Sequence, residues 1–310
     1  MISVALCTYN GEKYIRQQLD SILFQTMPVD EIIIRDDCSN DATCSIIEEY
    51  LSLYSCINYK RNESNLGFAK NFENAIFYCQ GDYIFFSDQD DIWDKDKVKK
   101  CVTYLQASGM YGVYTDGMLI DKDGNCLGET LFSRLLLTPY IEQNILDNHE
   151  FELLCLRGNH VTGATLAITK PAKSLLLPFR TSEHFLHDMW VAVRLSSINK
   201  LGRIDKPLIS YRLHSNQECG LKKENIKEIL LDCFDGKGKC NNLRTIRMRS
   251  ISPIYIFKLS RRGRLRIFDL YKSLYFMNLS NNSIIVDFYK FVITEFVVRI
   301  KCLTGFRTFK

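Results

Sequence analysis

The sequence lacks the features that mark disulfide-rich or zinc-binding proteins. Its 12 cysteines include no Cys-x-x-Cys pair and no Cys/His cluster at zinc-finger spacing. Cys7, Cys79 and Cys155 fall in predicted core elements, where a free thiol behaves as a small apolar side chain. A chain of 310 residues with 46% hydrophobic content can bury a large core without cross-links. We therefore expect reduced cysteines and a cytoplasmic location.

Long apolar runs are also missing. The best candidate for a membrane span, residues 284–300, is interrupted by four charged side chains, Asp287, Lys290, Glu295 and Arg299. A predicted strand begins at Ile2, so we expect no signal peptide at the N-terminus. The sequence contains no internal repeat and no low-complexity tract. These absences favour one large globular domain with an appendage.

Glycine-rich phosphate loops are absent as well. The turn after the first predicted strand, residues 7–12, contains a single glycine, Gly11. Neither the Gly-x-Gly-x-x-Gly pattern of dinucleotide-binding proteins nor a Walker pattern occurs there. Nicotinamide chemistry and P-loop hydrolysis are therefore unsupported. A sugar nucleotidylyltransferase would also need a basic, glycine-rich loop at this position.

What the chain does contain is a regular alternation of strands and amphipathic helices. Strands are predicted at residues 2–7, 31–35, 57–60, 83–87 and 112–115. Helices are predicted between them, the first at about residues 12–25 and the second capped by Asn40. Such alternation predicts an α/β fold with a mostly parallel sheet flanked by helices.

The second part of the chain is less regular. Residues 116–150 are expected to form an irregular insertion. Further on, the pattern predicts a strand at residues 164–169, a helix beginning at Pro171, a helix at 188–195 and a final strand pair at 200–204 and 208–213. We assign residues 1–220 to one domain, divided into a first half (1–115) and a second half (116–220). Residues 221–310 are assigned to a helical, basic C-terminal extension.

Charge is distributed unevenly along the chain. Residues 236–310 carry 16 Lys and Arg against three acidic residues, whereas residues 1–235 carry 24 basic and 33 acidic residues. Basic and aromatic residues alternate in this tail, a composition typical of segments that lie on a membrane surface. We therefore expect peripheral contact with the inner membrane, although the tail could instead pack on the catalytic domain. No nucleic-acid recognition motif accompanies the basic residues.

Two clusters of carboxylates follow predicted strands. Asp88, Asp90 and Asp91 come directly after one strand, and Asp36 and Asp37 end another. The carboxyl ends of parallel strands meet at one edge of the sheet, where α/β proteins bind ligands. Clustered acids repel one another unless a cation holds them, so the pattern predicts a divalent metal carrying a diphosphate.

Four motifs carry a family resemblance. In order and spacing, the chain resembles the family-2 inverting glycosyltransferases with the GT-A fold over roughly residues 1–215. The motifs are Thr8-Tyr9-Asn10-Gly11, Asp36-Asp37-x-Ser39-x-Asp41, Asn65-Leu66-Gly67 and Asp88-Gln89-Asp90-Asp91-Ile92-Trp93. This chain has Cys38 where the family usually has glycine, which is compatible with the loop if the backbone there avoids positive φ.

The resemblance implies roles for both halves of the first domain and for individual residues. Residues 1–220 would be a catalytic domain, with a nucleotide-sugar half (1–115) and an acceptor-side half (116–220). Asp37 would bond the pyrimidine base, Asp188 would be the general base with Glu183 as the fallback, and a late Tyr-Arg-x-His motif would face the diphosphate. The remaining expected residues fall into three groups: Thr8, Tyr9, Asn10, Asp88 and Arg212 for the nucleotide-sugar; Asp90, Asp88 and His214 for Mg²⁺ or Mn²⁺; and Trp190, Gly163 and Glu183 on the acceptor side. Purely structural roles remain open for Asp36, Gly163 and His214, as does a helix-capping role for Asp188.

The motif set looks most like the branch that uses dTDP-L-rhamnose. It predicts transfer of one sugar, L-rhamnose, to a lipid-linked glycan in bacterial surface-polysaccharide synthesis, either O-antigen or capsule, at the cytoplasmic face of the inner membrane. One alternative is a hexosyltransferase with a UDP-sugar donor. The other is a non-catalytic membrane-docking protein, which would not need a second acidic site at Asp188.

Overall fold

The computed structural model describes residues 1–135, 137, 150, 151, 154, 159–181, 185–215 and 217. The predicted C-terminal extension, residues 221–310, and the candidate residues Glu183 and Cys155 lie outside this part of the chain. No helix in the described part is both long and apolar enough to span a membrane.

Strands and helices alternate as the sequence predicts. The described strands are β1 (Ile2–Thr8), β2 (Glu31–Asp36), β3 (Ile57–Arg61), β4 (Tyr83–Ser87), β5 (Ile92–Trp93), β6 (Gly112–Ile120), β7 (Cys126–Thr130), β8 (Ala167–Thr169) and β9 (Leu201–Arg212). The described helices are α1 (Ile15–Leu23), α2 (Thr43–Leu53), α3 (Phe68–Tyr78), α4 (Lys97–Ser108), α5 (Leu131–Arg134), α6 (Lys170–Leu176) and α7 (His187–Ser196). A 3₁₀ turn, Gly163–Thr165, precedes β8.

One sheet joins all of these strands. Its order is β3-β2-β1-β4-β8-β6-β9-β5, with β7 paired to β6. Strands β1 to β4 pair in parallel, as do β6 and β9, whereas β5, β7 and β8 pair with their neighbours in antiparallel fashion. The predicted α/β class with a mostly parallel sheet is confirmed. The carboxyl ends of β1, β2 and β4 therefore meet at one edge.

The core lies where helices cover both faces of this sheet. Strand β1 is buried at every position, and β2 and β4 at every position after their first residue. Continuous burial is typical of parallel strands covered on both faces. Helix α1 contributes Ile15, Leu19 and Ile22, which lie on one side of the helix and are fully buried.

Two predictions about the second half were wrong. Residues 116–135 are not an irregular insertion, because β6 runs on to Ile120 and β7 pairs with it as a hairpin before α5. The final strand pair is a single strand, β9, since the ladder to β6 continues past a register shift near Pro207. A bulge lets the strand absorb the proline, which cannot donate a ladder hydrogen bond.

Local predictions were also corrected. Helix α2 begins at Thr43. The backbone amide of Thr43 donates to the side chain of Asp41, not to Asn40, which we predicted to cap this helix. Cys38 has φ of 70°, in the left-handed region that the sequence reading required it to avoid. The thiol donates to the carbonyl oxygen of Asn62 at 3.2 Å. That contact and the neighbouring Asp37 bonds hold a conformation that glycine would adopt without strain.

Two leucine-to-alanine substitutions test the placement of the core. Leu19 is fully buried, whereas Leu53 at the end of α2 is 74% exposed. We expect Leu19→Ala to lower the free energy of unfolding by about 2–5 kcal/mol, because it removes apolar contacts and leaves a cavity. Leu53→Ala should change it by less than about 0.5 kcal/mol. Urea denaturation measures both, and equal effects would contradict the described packing.

Candidate active site

The site begins where three neighbouring strands end. Register pairs Thr8 of β1 with Asp36 of β2, and Leu6 of β1 with Ser87 of β4. The loops that follow, residues 9–11, 37–39 and 88–91, therefore leave the sheet side by side. All three carry motifs that the sequence analysis singled out.

Asp36 links the end of β1 to the loop that follows β2. Its buried carboxylate accepts hydrogen bonds from the Thr8 hydroxyl at 2.8 Å and from the amide and hydroxyl of Ser39. The Asp36 side chain is fully buried, so it is not accessible to a ligand. Of the two readings that the sequence left open for Asp36, the structure supports the structural one. The Thr8 hydroxyl is engaged in the same contact.

Asp37 holds a second loop against the first. Its Oδ1 accepts from Asn62 Nδ2 and the Leu66 amide, and its Oδ2 accepts from the Gly67 amide, each at 2.8 Å. A carboxylate offers about four acceptor positions, and these bonds use three. Asp37 thus orients residues 65–67 and retains acceptor capacity.

Tyr9 and Asn10 form the exposed rim of this edge. The backbone amide and carbonyl of Tyr9 bond the Gln89 side chain at 2.8 and 2.9 Å, which ties the first loop to the acidic loop. A Cβ at Gly11 would lie 2.1 Å from Gln89 Oε1, so a larger residue there would displace the Gln89 side chain from Tyr9. Asn10 Oδ1 accepts from the Asn40 amide at 2.9 Å.

The three acids after β4 are crowded in a poorly solvated space. Burial, together with the negative charges of Asp90 and Asp188, raises the pKa of Asp88 to about 7. Burial also raises the pKa of Asp91, together with the charges of Asp90 and Asp88. Asp91 Oδ1 accepts from the Arg212 amide, whereas its buried Oδ2 has no partner among the described residues.

Asp90 faces His214 across the site. Asp90 Oδ2 lies 2.8 Å from His214 Nε2, and the imidazole packs against the Tyr14 ring. A carboxylate and an imidazole converging in this way suit Mn²⁺, and a carboxylate suits Mg²⁺. In the described part of the chain no group of three or more His, Cys, Asp or Glu is arranged around one metal position. Further ligands would come from water, from a bound substrate or from residues outside the described part.

Arg212 is placed differently from the prediction that it faces a diphosphate. Its side chain is buried, and the guanidinium donates to the Asp90 carbonyl at 2.8 Å and to Gln17 Oε1 at 2.7 Å. It also lies over the Tyr14 ring, 4.5 Å from the centroid. Arg212 is therefore committed to protein oxygens and fixes the acidic loop.

The candidate base lies on another element. Asp188 is in the first turn of α7, half-buried, and its Oδ1 accepts from the Met189 amide. The ring of His187, the residue before Asp188, lies parallel to Phe86 of β4 with 6.2 Å between the ring centroids, so the start of α7 packs beside the end of β4. The charge of Asp188 also contributes to the raised pKa of Asp88. Helix α7 thus brings an acid from the second half of the chain to the metal-side acids.

The three residues predicted on the acceptor side do not form one group in the structure. Trp190 packs in the core and donates from Nε1 to the Leu176 carbonyl at 2.9 Å, so its predicted acceptor-side position is corrected: it lies on the inward face of α7. Gly163 is buried against His187. Glu183 lies outside the described residues.

Sequence reasoning missed three residues of this region. Gln89 clamps Tyr9, Tyr14 packs between Arg212 and His214, and Lys97 is buried beside the acids. Only Lys97 left a usable signal, since it stands four residues before the buried Cys101 on the apolar face of α4.

Comparison with known sequences gives a consistent result. The model of the glycosyl transferase family 2 matches residues 3–157. The dTDP-rhamnosyl transferase RfbG of Shigella flexneri is 31% identical over 231 residues, covering 69% of this chain and 73% of RfbG. The putative teichuronic acid biosynthesis glycosyltransferase TuaG of Bacillus subtilis is 33% identical over 138 residues, which span 44% of this chain and 55% of TuaG.

Solved structures share the fold. Residues 1–349 of S. aureus TarS superpose with a TM-score of 0.55 at 17% identity, covering 99% of this chain and 75% of that one. The mannosyltransferase PcManGT of Pyrobaculum calidifontis, solved with GDP-Man and Mn²⁺, gives a TM-score of 0.54 at 15% identity, covering 99% and 81%.

Asp88 makes the stability of the metal-free protein depend on pH. Its folded pKa of about 7 exceeds the usual value of an aspartate, so between about pH 4 and pH 7 the unfolded chain loses this proton while the folded protein keeps it. Stability from this group therefore falls as pH rises. We expect Asp88→Asn to abolish this fall. The free energy of unfolding of the variant should exceed that of the wild type by about 1–3 kcal/mol more at pH 7 than at pH 4.

Chemical denaturation in EDTA across this pH range measures the effect. The control is Asp123→Asn, which alters an exposed aspartate in the turn before β7. The control should track the wild type at each pH. Parallel curves for Asp88→Asn and the wild type would show that Asp88 titrates normally.

Proposed function

This chain belongs to the glycosyl transferase family 2, and on that premise we propose that it moves one sugar from a nucleotide-diphosphate donor to a lipid-linked glycan. It is a glycosyltransferase with the GT-A fold. The observation that supports the proposal most is the packing of the start of α7, which carries Asp188, against Phe86 of β4, the strand that leads into Asp88 and Asp90. Direct sugar transfer needs a cation for the leaving group and a base for the acceptor at one place.

We propose L-rhamnose, supplied as dTDP-L-rhamnose, as the sugar. The support is the similarity to RfbG, a dTDP-rhamnosyl transferase whose length this chain matches over nearly three quarters. The second candidate is a UDP-hexose or UDP-N-acetylhexosamine. It is favoured by fold likeness to S. aureus TarS, solved with UDP-GlcNAc at 17% identity, which is a weaker argument because it concerns the fold.

The nucleotide would bind at the loops after β1 and β2. Asp37 is set to read the base, because its carboxylate is fixed by three donors and still has acceptor capacity. A pyrimidine offers an N–H donor to such a carboxylate. Tyr9 and Asn10 are exposed beside it and provide the surface on which the nucleoside would rest.

The metal would be Mg²⁺ or Mn²⁺, held by Asp90 and His214 with Asp88 nearby. When bound, it would neutralise the negative charge that develops on the departing nucleoside diphosphate. Arg212 would act without touching the substrate, because its bonds to the Asp90 carbonyl and to Gln17 fix the loop that carries Asp90.

Asp188 would accept the proton of the acceptor hydroxyl as that oxygen attacks the sugar. Its position at the start of α7, where backbone amides point outward, favours the ionised form that a base needs. Displacement from the face opposite the leaving group would invert the anomeric centre in one step, with no covalent enzyme intermediate.

Two substitutions separate donor binding from catalysis. We expect Asp90→Ala to weaken Mn²⁺-dependent donor binding at least tenfold, because a metal ligand is lost. Asp188→Asn should leave donor affinity within about threefold and lower turnover by about 10²–10⁴, the usual contribution of general base catalysis. Calorimetry with dTDP-rhamnose, UDP-glucose, UDP-galactose, UDP-GlcNAc and GDP-mannose, each with and without Mn²⁺, measures the affinities and names the sugar.

The matched control for both variants is Asp123→Asn, which should bind and turn over like the wild type. If none of the five donors binds under either metal condition, the proposed function is wrong. If Asp188→Asn keeps full turnover, the base has been assigned to the wrong residue.

We also propose that the enzyme works at the cytoplasmic face of the inner membrane, touching it through its basic tail. The tail lies outside the described residues, so the support comes from its composition. We expect the full chain to sediment with phosphatidylserine vesicles at low salt, and the quadruple Gln substitution of Arg261, Arg262, Arg264 and Arg266 to lower the affinity at least tenfold, since each basic residue near such a surface contributes about 1 kcal/mol.

The control carries the same number of Gln substitutions at four exposed lysines of the acidic body, Lys13, Lys60, Lys95 and Lys99. It should sediment like the wild type. Equal recovery of all three proteins in the supernatant at low salt would contradict membrane contact.

A further inference from the structure

Lys97 is a fully buried lysine at the first position of α4. Its Nζ donates to the carbonyl oxygen of Ala164 at 2.7 Å and lies 4.0 Å from the centre of the Trp93 ring. Removing an ammonium group from water is costly unless neighbouring groups compensate. A methionine of similar length would fill the same space without that cost, so the charged end of Lys97 needs an explanation.

The surroundings of Lys97 join the two halves of the proposed active site. On one side are the buried acids of the metal loop, whose charges oppose the fall in the pKa of Lys97 that burial causes. On the other side is the turn Gly163–Thr165, which leads into β8. The hydrogen bond to Ala164 is therefore a direct link from the acidic loop and α4 to the second half of the chain.

That turn is in contact with the helix that carries the candidate base. A Cβ added to Gly163 would lie 2.8 Å from Nε2 of His187, so the turn leaves no room for a side chain beside the imidazole. The His187 ring also packs against the other elements of the core, since it stacks on Phe72 at 4.4 Å and lies parallel to Phe86. The next residue along the chain is Asp188.

We propose that Lys97 is a positioning residue for Asp188. By holding the Ala164 carbonyl it fixes the turn, the turn fixes His187, and His187 fixes the start of α7 relative to the metal-side acids. The inference rests on the proposed role of Asp188 as the base. It adds that the distance between base and metal is set by an internal lysine that does not itself contact the substrate.

Hydrogen exchange tests the link without relying on activity. The variants are Lys97→Met, which keeps the length and loses the donor, and Lys97→Gln, which keeps a donor. Lys99→Met is the control, because Lys99 is an exposed lysine of the same helix. In the full-length protein, Lys97→Met should speed exchange at least fivefold in peptides covering residues 163–166 and 187–190, with Lys97→Gln intermediate. Unchanged exchange in both peptides would overturn the proposal.

Kinetics then show whether the link acts through Asp188. Nucleotide release is measured with dTDP-L-rhamnose and Mn²⁺, or with the donor that calorimetry selects. Lys97→Met should lower kcat at least tenfold, leave the KM for the donor within threefold, and be partly rescued in Lys97→Gln. Combined with Asp188→Asn, it should cause no further loss, because residues that act through one another have non-additive effects.

The two hypotheses fail in different ways. Full turnover of Asp188→Asn rejects the proposed base, whatever Lys97 does. An inactive Asp188→Asn together with a fully active Lys97→Met, or an equal loss from Lys97→Met in both backgrounds, rejects only the positioning role. Should Lys97→Met fail to fold, Lys97→Gln carries the same comparisons.

Discussion

Repulsion between carboxylates is the interaction on which this end of the molecule depends. Asp88, Asp90 and Asp91 follow one strand within four residues, and Asp188 approaches from α7. In a poorly solvated space, like charges raise one another's pKa and push the loops apart. The surrounding structure is built to hold them: Arg212 binds the loop backbone, Lys97 lies beneath it, and Gln89 ties it to the first loop.

The polar residues around the site therefore fall into two kinds. Some are buried and satisfied by the protein, such as Asp36, which is fully buried and accepts four hydrogen bonds, from the Thr8 hydroxyl, the amide and hydroxyl of Ser39, and the Cys44 thiol. Others are fixed but keep capacity, such as Asp37, whose carboxylate accepts three hydrogen bonds and offers about four acceptor positions. A rigid arrangement of this second kind lowers the entropy lost when a ligand binds.

Much of the fold could be predicted because it depends on local pattern. The strands and helices of the first hundred residues follow hydrophobic periodicity, and the two acidic clusters mark the carboxyl edge of the sheet. The hairpin of β6 and β7 escaped prediction because β7 is mostly exposed and carries no apolar alternation. The continuity of β9 was missed because a proline inside a strand normally argues against one.

The site was predictable in its acids and less so in its supporting residues. Carboxylates after a buried strand are conspicuous in a sequence, and their charge predicts a cation-binding role. The partners of Arg212 and Trp190 are set by tertiary contacts. Patterns along the sequence carry no signal of such contacts. Both residues have chemistry that suits substrate contact, and only burial and hydrogen bonding reveal that they serve the protein itself.

The late position of Arg212 and His214 also bears on how the enzyme is made. During synthesis the acidic loop emerges more than a hundred residues before the strand end that supplies its two partners. A nascent chain that extends only as far as α4 already contains the acids, yet lacks the guanidinium that fixes them and the imidazole that faces Asp90. We therefore expect the acidic loop to gain these contacts only after residues 212–214 have been made, so shorter chains lack them.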